Sequence, residues 1–277
     1  MTALVALLLA ASCPECHRDV ARRFEASRHA RAFELPVFAL PFRQAHTGWC
    51  LGCHRPEGRG TAGLGCLSCH GVEGDASAVR GSGRSAGRPI SARAHRVVAD
   101  ATFETDACGR CHEFDAPDSG EPLQTTMSET AGRACSSCHD PHSARGAHDL
   151  PTLKSGVRFD AYATAEGVEV RVTGGAGHRF PSGDPFRRLV VEVCDEPECR
   201  TPLDRRVLSK SFGLVGSEWK KLRDGSLGDG DAAVLEFPAG RFWRATYFYG
   251  DPRFETELEA DEVFVEVGKG AVTPRRP

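Results

Sequence analysis

Hydrophobic positions are spread unevenly along this chain of 277 residues. Thr2 to Ala11 is an apolar run ending in small residues, too short to span a bilayer and shaped like the h-region of a secretory signal peptide. From Cys13 to about residue 150 apolar residues are sparse, and helical periods emerge only near 16–34 and 125–138. Asp75 to Arg93, rich in Gly, Ser and Arg, reads as a surface loop. Beyond Pro151 the pattern turns to alternation. Val168–Thr173, Arg188–Val193, Ala233–Phe237, Arg241–Tyr249 and Glu262–Val267 are period-two or β-branched runs separated by turn residues, which predicts an antiparallel β-sandwich. The expected fold class is therefore α+β. A signal-like segment (1–12) precedes a mostly helical or irregular domain (13–152) and a β-sandwich-like domain (153–277).

Composition changes this picture at one point. With 40% hydrophobic residues, 8% aromatics and a formal net charge of −3, the chain is no basic nucleic-acid binder, polytopic membrane protein or disordered acidic chain. It does, however, hold 12 cysteines, ten of them before residue 139. A disulfide scaffold of this length would spread them more evenly, and so many thiols imply a metal or cofactor.

All ten belong to one pentapeptide, C-x-x-C-H: Cys13/Cys16/His17, Cys50/Cys53/His54, Cys66/Cys69/His70, Cys108/Cys111/His112 and Cys135/Cys138/His139. This is the attachment signal of c-type haem. Two thiols one helical turn apart form thioethers with the porphyrin vinyl groups, and the following imidazole becomes the proximal iron ligand. Zinc would explain paired cysteines, and Cys50/Cys53 with Cys66/Cys69 even resemble a zinc ribbon, but zinc gives no reason for a histidine after every pair. A thioredoxin-like pair would occur once, beside a βαβ pattern that this sequence lacks. Five covalently bound c-type haems are therefore expected, and porphyrin must supply the core that so few apolar side chains cannot. Ala10-Ala11-Ser12-Cys13 also resembles a lipoprotein cleavage box, but Cys13 cannot be both lipidated and haem-linked. Cys194 and Cys199 are expected to close a small loop as a disulfide, and Arg200 after Cys199 excludes a sixth haem motif there.

Distal ligands must come from six further histidines or from Met127. His29 lies on a predicted helix 12 residues beyond His17; His95 precedes the fourth motif and His148 follows the fifth. All three are expected to bind iron. His142, three residues from His139, could face either a haem or solvent. His46, in the turn-like His46-Thr-Gly-Trp49, suits a surface or propionate-binding role as well as ligation. On spacing alone His178 is a loop histidine. Histidine ligation throughout is arithmetically available and predicts low-potential haems.

Cys13-x-x-Cys16-His17 followed by Ser27-x-His29-Ala30-x-Ala32 resembles the start of multihaem cytochromes of the cytochrome c554 type. Phe103 to Asp149 is similar to the same larger group, with Glu113-Phe114, Leu123-Gln124-Thr125-Thr126, Asp140-Pro141 and a late His148-Asp149. Gly177-His178-Arg179-Phe180-Pro181-Ser182-Gly183 resembles the Gly-His-x-x-Pro-Thr-Gly element that opens a β-rich domain in such proteins, with Ser182 where Thr is usual. The resemblance implies stacked haems, distal histidines that cross between haem units, and His178 as a ligand reaching back from the second domain.

The function expected is electron transfer by an exported protein, periplasmic or extracellular. Redox partner proteins would be other cytochromes or a terminal reductase, with no nucleic acid and with membrane association only through a partner. An oxidoreductase with one open haem, acting on a small nitrogen or sulfur compound, is the first alternative. Residues 1–150 contain no lysine, against the Cys-x-x-Cys-Lys haem of the resembling nitrite reductases. A homo-oligomer or cytochrome filament is the second.

Overall fold

A computed structural model describes residues 13–45, 47–81, 95–143 and 145–275. The leader-like run, His46 and most of the expected 75–93 loop lie outside them. Two compact units divide the chain: Met1–Glu113 with Gly132–Arg145, and Phe114–Ala131 with Gly146–Pro277. The division is thus not a single cut in the sequence.

The first unit is built of short helices. Residues 13–16 are helical and lead into α1 (Arg18–Glu25), where Asp19 in the first turn and Arg22 and Arg23 in the last complement the helix dipole. α2 (Pro36–Ala45) opens on a proline, whose missing N–H costs nothing there. α3 (Leu51–His54) continues a 3₁₀ turn over Gly48–Cys50, and α4 (Cys66–His70) is a single turn. A small sheet follows, in which β1 (Gly71–Val72) is antiparallel to β2 (Asp75–Gly81) and β2 is parallel to β3 (Arg96–Ala99). Asp75–Gly81 is therefore strand rather than loop. Ala78 is its buried position, and the surrounding Gly and Ser conceal the alternation. α5 (Phe103–His112) carries the fourth motif, with Glu104 and Asp106 near its start and Arg110 near its end.

One helix expectation is met in part and the other fails: over 16–34 the helix ends at Glu25. The segment after Glu25 is a series of turns, with the Ser27 hydroxyl accepting from Ala30 N at 3.3 Å. Over 125–138 only 3₁₀ turns form, because Ala131 (φ 52°) and Gly132 (φ 79°) leave the right-handed helical region. Among the described residues of the first unit, the buried hydrophobic side chains are three alanines, Ala21, Ala32 and Ala78. Protein alone supplies almost no core there.

The second unit is the reverse. β4 (Glu113–Asp115) and β5 (Pro122–Thr125) form a two-stranded ribbon. α6 (Leu150–Ser155) is capped by Asp149, whose carboxylate accepts from Thr152 N at 3.1 Å. Then come β6 (Val157–Ala163), β7 (Val168–Gly174), β8 (Arg188–Cys194), β9 (Asp204–Val215), β10 (Glu218–Asp224), β11 (Ala232–Phe237), β12 (Phe242–Phe248), the single turn α7 (Ala260–Val263), β13 (Phe264–Ala271) and β14 (Thr273–Pro274). They make a five-stranded antiparallel sheet, β10-β9-β8-β12-β13, and a four-stranded sheet, β11-β7-β6-β14, whose last pair is parallel. Val168, Val170 and Val172 of β7 and Val191, Val193 and Ala245 of the larger sheet are buried, and Phe159 meets Trp243 between the sheets at 5.1 Å. The expected α+β class and β-sandwich-like arrangement are observed. β6, β9 and β10 go beyond the sequence pattern. In β9 the period is hidden because Lys210 occupies a buried position. Cys194 and Cys199, both buried, are disulfide-bonded with Cα atoms 5.3 Å apart. Among the described residues no helix is long and apolar enough to cross a membrane.

Candidate haem-binding site

Each C-x-x-C-H motif occupies about one turn of helix, so positions i, i+3 and i+4 present both thiols and the imidazole on one face. His17 N donates to Cys13 O at 2.8 Å and His139 N to Cys135 O at 2.9 Å, closing the turn in the first and fifth motifs. The third is fixed from outside: Glu57 accepts from the Ser68 backbone N–H at 2.9 Å and from its hydroxyl at 2.7 Å. Among the described residues the disulfide is Cys194–Cys199, outside the motifs. Among the described residues no three His, Cys, Asp or Glu side chains converge as a zinc site would require.

Several imidazoles are held in one tautomer. Nδ1 of His54 lies 3.0 Å from Ala32 O, that of His70 2.8 Å from Arg80 O, that of His139 2.8 Å from Arg145 O and that of His178 2.8 Å from Arg179 O. A carbonyl only accepts, so Nδ1 carries the proton and Nε2 keeps its lone pair for a metal.

Three motif histidines stand opposite three of the free ones. Ring centres of His17 and His95 are 6.3 Å apart, those of His112 and His29 6.1 Å, and those of His70 and His142 6.2 Å. Face contact in the same protein is much closer: 3.5 Å for Phe38 on His54 and 3.8 Å for His148 on Tyr249. An imidazole nitrogen bonds a first-row metal at about 2 Å and its ring centre lies about 1 Å further back, so two rings on opposite sides of one metal ion stand about 6 Å apart. Rotation about such bonds leaves the angle between rings free, and the observed angles of 27°, 57° and 7° all comply. His95 Nδ1 is also buried without a hydrogen-bond partner among the described residues. These residues fit a six-coordinate haem iron.

The surroundings of His29 and His142 favour the neutral rings and hold them in place. Burial, reinforced by His54, holds the His29 imidazole below its ordinary value; burial and His70 do the same for His142. The His29 carbonyl accepts from Leu64 N at 2.9 Å, and the chain passes so close that a Cβ on Gly63 would lie 2.5 Å from that oxygen. His142 N donates to Asp140 Oδ1 at 3.1 Å, and Asp140 pairs with Arg23 at 2.6 Å.

The other two candidates belong to the second unit. His148 lies on the Tyr249 ring, and the Tyr249 hydroxyl donates to Ala147 O at 3.0 Å. The His178 loop is pinned by residues that sequence reasoning missed, Glu129 and Lys210. Their side chains, each 6% exposed, form a 2.9 Å ion pair. Glu129 also accepts from the Thr125 hydroxyl (2.6 Å), the Ser182 hydroxyl (2.9 Å) and Arg179 N (3.3 Å). The hydroxyl of Ser182, where the resembling motif has Thr, is thus in use. The available signal was Thr125, within the stretch that carried the resemblance.

In fold, the chain is like a penta-heme cytochrome c552. That protein, from Thermochromatium tepidum, superposes with a TM-score of 0.71 over 94% of this chain and 97% of its own, at 20% sequence identity. No family model and no curated protein matches the sequence. At this identity the likeness establishes the architecture, without singling out the c554 type.

Proposed function

We propose that the protein is an exported pentahaem c-type cytochrome that passes electrons along mostly bis-histidine haems and exchanges them with redox partner proteins. The observation that carries this is the 6.1–6.3 Å spacing of the three ring pairs, each joining one motif histidine to one free histidine. In this reading Cys13, Cys16, Cys50, Cys53, Cys66, Cys69, Cys108, Cys111, Cys135 and Cys138 tether the porphyrins. His17, His54, His70, His112 and His139 are proximal ligands, and His95, His142 and His29 are distal ligands of the first, third and fourth haems. His148 and His178 are further axial candidates. When bound, haem supplies reversible one-electron iron chemistry. The chain's own residues favour the neutral rings of His29 and His142 and fix the tautomers of His54, His70, His139 and His178. The three-alanine interior of the first unit and the penta-heme name of the structural neighbour support the same cofactor count.

The test is spectroscopic. Mass spectrometry of the purified protein should show five attached haems. The ferric protein should be low-spin throughout and should bind no carbon monoxide after reduction. A high-spin haem that binds nitrite or hydroxylamine would refute the carrier reading in favour of an oxidoreductase with an open iron.

A further inference from the structure

The five motifs do not meet in the order in which they follow one another along the chain. α5, which carries the fourth, touches three others. Near its start Glu104 accepts from the Ser136 backbone N–H at 3.1 Å and from its hydroxyl at 2.6 Å, inside the fifth motif. Near its end the Arg110 guanidinium donates to Ser68 O at 3.4 Å, inside the third. The Arg110 carbonyl lies 3.9 Å from Cys53 Sγ of the second. The sulfurs repeat the pattern: Cys111 lies beside Cys53, Cys108 beside Cys135, and Cys69 near both Cys108 and Cys111.

The first motif meets this cluster at the third. Cys13 lies beside Cys66 of the third. Arg23, on the helix after the first motif, binds Asp140, which holds the backbone of His142 opposite His70. β3, which begins one residue after His95, runs beside β2, whose Arg80 carbonyl accepts from His70 Nδ1.

We propose that the haems are joined as a branched network, with the fourth at a junction between the second, third and fifth and the first reached through the third. The proposal rests on the function proposed above. Each transfer takes one electron from a ferrous iron to its ferric neighbour and breaks no bond; redox proteins outside are the donor and acceptor. A linear wire has two ends, whereas this network has three: the first, second and fifth haems. Exposure marks two of these ends: Cys16 of the first motif and Cys138 of the fifth are the exposed motif cysteines, whereas those of the second, third and fourth are half-buried, with Trp49, next to Cys50, 42% exposed.

The test is a stepwise oxidation of the holoprotein followed by NMR, with haem-methyl resonances assigned through contacts to the residues flanking each C-x-x-C-H motif. Oxidation of the fourth haem should shift the apparent potentials of the second, third and fifth, and that of the first should respond to the third alone. His29→Met, which raises the potential of the fourth haem by exchanging imidazole for a thioether, should move the same three and leave the first unchanged. Coupling in sequence order, with the first haem responding to the second, overturns the junction while leaving the pentahaem reading intact. A protein mass with fewer than five haems overturns both.

Discussion

Gly63→Ala isolates the link between backbone packing and iron ligation, because no ligand or motif residue is changed. A Cβ at residue 63 would lie 2.5 Å from the His29 carbonyl oxygen and 2.8 Å from the Ala30 carbonyl carbon, and closer still to Ala32 N. All three are backbone atoms and cannot swing aside. Relieving the overlap requires the 29–32 segment to retreat by about 1 Å. In the proposed ligation the His29–His112 spacing of 6.1 Å would have no such slack, since two metal–nitrogen bonds would span it. Overpacking of this kind costs about 1–3 kcal/mol when the structure absorbs it. Here the softest coordinate is the bond between His29 and iron. The expected outcome is a high-spin ferric signal from one haem in five, and about one carbon monoxide bound per chain after reduction where the parent protein binds none. Electron paramagnetic resonance and a carbon monoxide titration read both. Gly146→Ala, whose Cβ would meet nothing within 4 Å, is the matched control. If Gly63→Ala stays fully low-spin and as stable as the parent, the assignment of His29 to the fourth haem is wrong.

Lys210→Met should destabilise the second unit by about 3–5 kcal/mol in chemical denaturation, because it strands a buried carboxylate, and the double variant with Glu129→Gln should recover much of the loss. Burial alone would raise the Glu129 carboxyl, but the Thr125 hydroxyl, Lys210 and Ser182 outweigh it and leave it below its ordinary value of 4.5. The stability this contributes is complete above pH 4.5 and is lost as pH falls through the lowered value. Glu129→Gln should therefore be less stable than the parent at pH 7, with the gap narrowing below pH 4.5; a constant gap would exclude ionisation as the cause. Protein expressed without haem attachment should lose the first unit to limited proteolysis while the β-rich unit survives, and equal resistance of both would disprove a porphyrin-built core. Replacing both Cys194 and Cys199 by Ser should cost about 2 kcal/mol, the modest value of a short closed loop, and leave the haem spectra unchanged.

Much of this protein was legible without its structure wherever the determining contacts are local. Alternation in 168–173, 188–193 and 233–237 marked strands because side chains on successive residues face opposite sides of a sheet. It failed at β9, where the inward position of Lys210 is permitted by Glu129 and Thr125, 81 and 85 residues away. The helix expected over 125–138 failed for a related reason. Its pattern is helical in composition, but Ala131 and Gly132 turn left-handed and Glu129 is committed to the His178 loop.

The cofactor site divides along the same line. Attachment is local chemistry, since two thiols and an imidazole within five residues need one turn of helix and nothing else. The sequence by itself therefore determined the number of haem motifs, the histidine that ends each of them and the poverty of the protein's own core. The distal side is not local. His95 meets His17, His29 meets His112 and His142 meets His70 across stretches of chain whose paths depend on how the short helices pack. Only the tertiary structure decided those pairings, on which the proposed axial bonds and junction rest, because two distant imidazoles come to face each other only through folding.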